Sequence, residues 1–241
     1  MMITLLLTIC ALLTSMISAI VGMAGGVTLL SILIIFLPYH VVIPIHGAVQ
    51  LVSNFTRSLF LRKYIHYKFF CFYALGLPVG ALVSISLLKQ IDNVLLPKLL
   101  IVLFIFYVLF KPKKLPKVVL PAWGFSFVGV ISGILSLLIG ATGPFLAPFF
   151  LRDDLKKEQI IATKASVQAI THLLKIPAFI YLGFPYFEYL SLSVSLVLAT
   201  IIGTKIGIQL LGKIDERIFR LLYKTALFAA ALKLIWDMIS L

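Results

Sequence analysis

HGAVQLVSNFTR, residues 46–57, is the stretch on which the reading of this chain turns. It lies inside an apolar run at roughly 41–61. His46, Gln50 and Asn54 stand four apart, and Arg57 follows three further on. On an α-helix that spacing keeps all four on one face. A second stretch, KASVQAITHLLK at residues 164–175, aligns with the first at a shift of 118 without a gap. His46 then meets Lys164, Gln50 meets Gln168, Asn54 meets His172 and Arg57 meets Lys175. A polar stripe is costly in hydrocarbon, so two of them at matching positions call for a function.

The chain around both stripes has the composition of an integral membrane protein. Of its 241 residues 62% are hydrophobic and only 12% are charged, where soluble domains run near a quarter charged. The mean hydropathy is +1.16. The net charge of +13 would suit nucleic acid if it formed one face. Most of the basic residues instead fall in short loops between apolar runs, which is a signal of membrane topology. No nucleic-acid partner is expected, and the bilayer is the surrounding medium. Cys10 and Cys71 sit inside apolar runs with no CxxC spacing, and read as small core residues. The opening MMITLLLTIC has no basic region before it and reads as a retained helix.

Apolar runs fall at roughly 3–21, 26–37, 41–61, 69–88, 94–110, 122–139, 143–151, 159–182, 187–211 and 217–239. A spanning helix needs about 20 residues, so the runs at 26–37 and 143–151 are short. Each follows a glycine-rich break, Gly22-Met23-Ala24-Gly25-Gly26 or Gly140-Ala141-Thr142-Gly143-Pro144. Loops Arg62–Lys68 and Lys111–Lys117 are strongly basic and belong in the cytoplasm. If both short pieces cross, residues 152–157 and 212–217 (GKIDER) also land inside, and the uncharged turn Gly183–Tyr186 lands outside with both termini. If neither crosses, the basic and uncharged loops sit against the positive-inside rule. The expectation is therefore an all-α, polytopic helical bundle of about ten spans.

The halves repeat. At a shift of 123, GALVSISLLKQID (80–92) falls on GTKIGIQLLGKID (203–215) with Gly80, Ile85, Leu87, Leu88, Ile91 and Asp92 identical. Five crossings per half is an odd number, which inverts the second half. The expected organisation is one membrane domain over 1–241: a first repeat at 1–110, a cytoplasmic linker at 111–121 and a second repeat at 122–241. Inverted repeats with interrupted helices recur among secondary transporters, with the substrate near midplane between the repeats.

The chemistry expected there is anionic. All eight acidic residues fall in loops or at helix ends, whereas His46, Arg57, Lys164, His172, Lys175 and Lys205 lie within apolar runs. Cationic side chains without carboxylates suit an anion, and argue against a carboxylate proton relay. A new helix after each glycine break offers free N–H groups and partial positive charge inside the membrane. Amides near Gly25, Gly26 and Gly143 are expected to contribute, with Thr142 as a hydroxyl donor. The site residues are thus His46, Gln50, Asn54, Lys164, Gln168, His172, Gly25, Gly26, Thr142 and Gly143, with Arg57 and Lys175 along the pathway. Plainer roles compete for each. The amides can hydrogen-bond between helices, the glycines can serve close packing, and Arg57, Lys175 and above all Lys205 can snorkel to an interface. Tyr39, Trp123, Tyr186 and Trp236 read as interfacial anchors. Nucleophile elbow, zinc spacing, Walker loop and dinucleotide fingerprint are all absent, so neither an enzyme nor a metal or cofactor is expected.

GMAGG in the first half and GATGP in the second, each followed by a helix with a polar stripe, resemble the TauE/SafE family, also called the 4-toluene sulfonate uptake permease family. The resemblance covers essentially the whole chain. It implies a carrier in the bacterial or archaeal inner membrane for small sulfur oxyanions or organosulfonates. Pro144 stands where the first break has glycine, so the two half-sites are not expected to be equivalent. The combined expectation is a secondary transporter of sulfite or a sulfonate by alternating access, against a passive anion channel or a membrane scaffold. An unperturbed imidazole changes charge near pH 6.5, which offers His46 or His172 as a route to proton coupling. The anion, its direction, the coupling ion and the oligomeric state, a homodimer included, stay open.

Overall fold

A computed structural model of the protein describes residues 2–21, 25–90, 95–110, 118–150, 152–210 and 216–240. The remainder of the first break (Gly22, Met23, Ala24), the basic stretch Lys111–Lys117, Asp92 and most of GKIDER lie outside the described residues. Among those described the regular structure is entirely helical. The first half holds α1 (Met2–Val21), α2 (Gly25–Phe36), α3 (Tyr39–Phe60), α4 (Tyr67–Gln90) and α5 (Leu95–Phe110). The second holds α6 (Phe125–Leu138), α7 (Gly143–Phe150), α8 (Lys157–Tyr181), α9 (Leu190–Gln209) and α10 (Glu216–Ile239). The protein is an all-α membrane bundle.

The sequence dictates where these helices stop. Gly140, at φ 90°, takes a backbone conformation that a side chain would resist, and it ends α6. Pro38 at φ −59° follows α2 and opens α3, a position where its missing N–H costs little. Gly183, at φ 85°, closes α8 and turns the chain toward α9. Met2–Ile20, Tyr67–Gln90 and Tyr186–Gln209 are long and apolar enough to span a membrane. The outward surface is as apolar as the interior: Leu75 is 70% exposed, Leu82 67% and Phe110 78%. Such a surface belongs in lipid.

Polar side chains are placed inside instead. His46, Gln50, Asn54, Arg57, Lys98, Lys164, His172 and Lys175 are all buried, and no carboxylate among the described residues is. Arg57 at 1% and Lys175 at 0% exposure are enclosed by protein, whereas Lys205 is exposed. Trp123 and Trp236 are exposed, at 60% and 71%.

Packing crosses between the halves, because α4 lies along α6 and α1 along α9. A Cβ on Gly80 would collide with the Val130 carbonyl, and one on Gly203 with the Leu12 carbonyl. Leu12 and Val130 are 118 residues apart, and Gly80 and Gly203 are 123 apart, the two shifts of the repeat. Ser84 donates to the Ile134 carbonyl at 3.1 Å, while Gly207, 123 residues later, sits against Met16, 118 residues before Ile134. Helices α3 and α8 pack together running antiparallel: Gly47 meets Lys175, and Ser58 donates to Ser166 at 2.7 Å.

At one end of the bundle Arg152 pins the loop between α7 and α8. Its Nε and Nη2 donate to Asp154 at 2.8 Å each, and its Nη1 donates to the Leu120 carbonyl at 2.7 Å. These bonds hold the exposed Asp154 carboxyl below its usual range.

Candidate functional site

The polar faces of α3 and α8 meet at the middle of the bundle, and both glycine breaks are brought to the same place. His46, Gln50 and Asn54 of α3 line a pocket with Gln168 and His172 of α8. Gly26 and Val27 enter it from the start of α2, and Ala141, Thr142 and Gly143 from the turn into α7. Ser18 of α1 completes the wall. Eight of the ten expected site residues therefore share one cavity. Gly25 and Lys164 do not line it. Gly25 instead packs α2 against Thr14 and Ser18 of α1. Lys164 is buried (2% exposed) one helical turn before Gln168.

The geometry of the wall follows from its backbone. His46 donates through Nε2 to the Gly26 carbonyl at 2.8 Å, which leaves Nδ1 buried and without a hydrogen bond among the described residues. The His46 and His172 rings meet edge to face, 5.7 Å between centroids. Asn54 Nδ2 donates to the Gln50 carbonyl at 2.9 Å and more weakly to Gln50 Oε1 at 3.4 Å. Those bonds orient both amides. Gly26 lies directly beneath Gln50, and a Cβ there would come within 3.0 Å of Oε1.

Two helix N-termini border the pocket. At that end of α2 and of α7 the first N–H groups have no intrahelical acceptor, and each helix presents about half a positive charge. Thr142 precedes α7, and its carbonyl accepts the Leu146 N–H at 3.0 Å. Its Oγ1 is buried with no hydrogen bond among the described residues. The cavity measures about 10 Å³, the size of roughly one water molecule. Its walls have to part before a three-oxygen anion can enter. Every polar group around it is an amide, a hydroxyl, an imidazole or a backbone N–H or carbonyl, with no carboxylate.

The two cations expected along the pathway, Arg57 and Lys175, differ in their bonding. Lys175 Nζ donates to the Gly140 carbonyl at 2.6 Å, tying α8 to the second break across Gly47. Among the described residues Arg57 Nη1 donates to Asn54 Oδ1, at 3.4 Å. Two groups of neighbours are absent from the sequence reading. Ser18 is one of two serines in an apolar run, and its one pointer is Ser136, found 118 residues later. Tyr73 of α4, fully buried, donates to Thr171 Oγ1 at 2.7 Å, and Thr171 in turn donates to the Val167 carbonyl. This bond holds α8 beside the pocket.

The chain matches the model of a known protein family. A family described as Sulfite exporter TauE/SafE covers residues 7–234. No curated protein and no solved structure matches the chain.

Proposed function

The chain belongs to the sulfite exporter TauE/SafE family, and on that premise we propose that it carries a small sulfur oxyanion or organosulfonate by alternating access. The observation that carries this reading is the central pocket, which draws its wall from both halves of the chain and holds imidazoles, amides and two helix N-termini without a carboxylate. Binding there replaces lost hydration with donors fixed in advance. His46, His172 and the nearby Lys164 offset the charge, while Gln50, Asn54, Gln168 and Thr142 donate hydrogen bonds.

The proposed architecture is an inverted five-plus-five repeat, 1–110 and 122–241, in a bacterial or archaeal cytoplasmic membrane with both termini outside. Supporting it are the antiparallel α3 and α8, and the contacts of α4 with α6 and α1 with α9 that recur at the two sequence shifts. Arg62, Lys63 and Lys68 are exposed together at one end, as a cytoplasmic loop would be. The small cavity suits an occluded state, closed to both sides.

Radiolabelled sulfite flux into proteoliposomes tests the reading. Flux saturates in the wild type and collapses in His46→Ala and in Lys164→Ala. Normal flux in both variants removes these residues from the mechanism. Flux that rises in proportion to concentration without saturating favours a passive channel, and none at all favours a scaffold.

A further inference from the structure

We propose that Arg57 is the oxyanion-recognition residue of the transport path, gripping two oxygens of one substrate anion through Nε–H and Nη2–H. The inference rests on the transport reading above and deepens it. It names a subsite one helical turn beyond Asn54, and a ligand class: anions that present two oxygens on one central atom, such as sulfite, sulfonates and carboxylates, rather than halides.

Arg57 is 1% exposed. A guanidinium carries five donors in a rigid plane and stays charged, so burying one without an acceptor is costly. Its Nη1 donates to Asn54 Oδ1 at 3.4 Å, and Asn54 lies in the pocket wall with its Nδ2 bonded to the Gln50 backbone carbonyl, so Asn54 links the wall to the guanidinium. Nε and Nη2 are buried with no hydrogen bond among the described residues. These two nitrogens form one edge of the plane, the edge that matches a pair of oxygens side-on.

The molecule supplies its own comparison. In Arg152 the same edge donates to both oxygens of Asp154, Nε at 2.8 Å and Nη2 at 2.8 Å, and Nη1 is taken by a backbone carbonyl. Every nitrogen of the Arg152 guanidinium is engaged, while that of Arg57 keeps its bidentate edge without a hydrogen bond among the described residues. Lys175, the counterpart of Arg57 in the second stretch, is satisfied by the Gly140 carbonyl. Buried carboxylates, the usual protein partners, are missing among the described residues. A two-oxygen anion supplies what the site lacks. A monatomic anion would satisfy the charge but not the fork.

The test uses the full chain in detergent with sulfite, methanesulfonate and iodide as probes. Arg57→Lys keeps the charge and removes the fork; sulfite affinity falls at least tenfold while iodide binding is unchanged. The sequence holds five arginines, so arginine-selective ¹⁵N labelling gives five Nε signals in the wild type. That of Arg57 is identified by replacing Arg62, Arg152, Arg217 and Arg220 in turn. Methanesulfonate moves the Arg57 signal and iodide does not, a result that stands even if Arg57→Lys fails to fold. A wild type that binds sulfite with an unmoved Arg57 signal, or an Arg57→Lys that binds it equally well, overturns the assignment alone. A wild type that binds none of the oxyanions overturns the transport reading and this assignment with it.

Discussion

His46 commits its Nε2–H to the Gly26 carbonyl, so only Nδ1 remains for an anion, and a bare Nδ1 is an acceptor. Anion binding at that atom therefore requires the ring to take up a proton. Methanesulfonate stays ionised across the working range, which makes it the probe. Its affinity is expected to fall as pH rises, and the slope is expected to vanish in the double variant His46→Gln/His172→Gln. Equilibrium binding at several pH values measures both. Beside the pocket, Thr171→Val removes the Thr171 acceptor of the buried Tyr73 hydroxyl, leaving Ser132 as its hydroxyl neighbour, and costs about 1–3 kcal/mol. Tyr73→Phe costs only about 1 kcal/mol, because Thr171 keeps Val167 as its acceptor. Thermal unfolding of both variants and of the pair checks the order. At this scale most of the site is legible in the sequence, since His46, Gln50 and Asn54 stand out against hydrocarbon. Ser18 and Thr171 are not legible, because serine and threonine can bond their own helix backbone and so pass unnoticed in apolar runs.

The helices are held together through missing side chains as much as through present ones. Gly80 and Gly203 lie where a Cβ would strike a carbonyl of the neighbouring helix. Gly80→Leu and Gly203→Leu are each expected to lower stability by about 2 kcal/mol or more, in parallel, by overpacking. Gly183→Ala meets no neighbour within 4 Å and carries only the cost of its positive φ, about 1 kcal/mol. Denaturation midpoints in one detergent rank the three. The short helices mark where sequence and structure inform each other. Twelve residues in α2 and eight in α7 amount to about 18 and 12 Å, well short of a hydrocarbon core near 30 Å. Hydropathy flags both lengths, and glycine flags both starts. It does not reveal that the two starts face one pocket, because that depends on how α3 and α8 cross. Nor does spacing separate Lys164, outside the lining, from Gln168 within it: the helix face is broad, and the pocket covers part of it.

Across the whole molecule the proposed orientation can be read by labelling. In a background with Cys10 and Cys71 replaced by serine, Asp154→Cys is expected to react with an impermeant maleimide only from the cytoplasm, and Phe187→Cys only from outside. Both positions are exposed, Asp154 through its side chain at 58% and Phe187 at 90%. Labelling of both from one side would reject the arrangement. The charge pattern anticipates this arrangement because short basic loops resist translocation. The interlocking of α4 with α6 and α1 with α9 carries a last implication. Neither half owns its neighbours: each wedges its glycines into the backbone of the other. Severing the polypeptide between them should yield two fragments that perish singly and survive as a mated pair, and under the proposed alternating access the rocking bodies would be hybrids drawn from both.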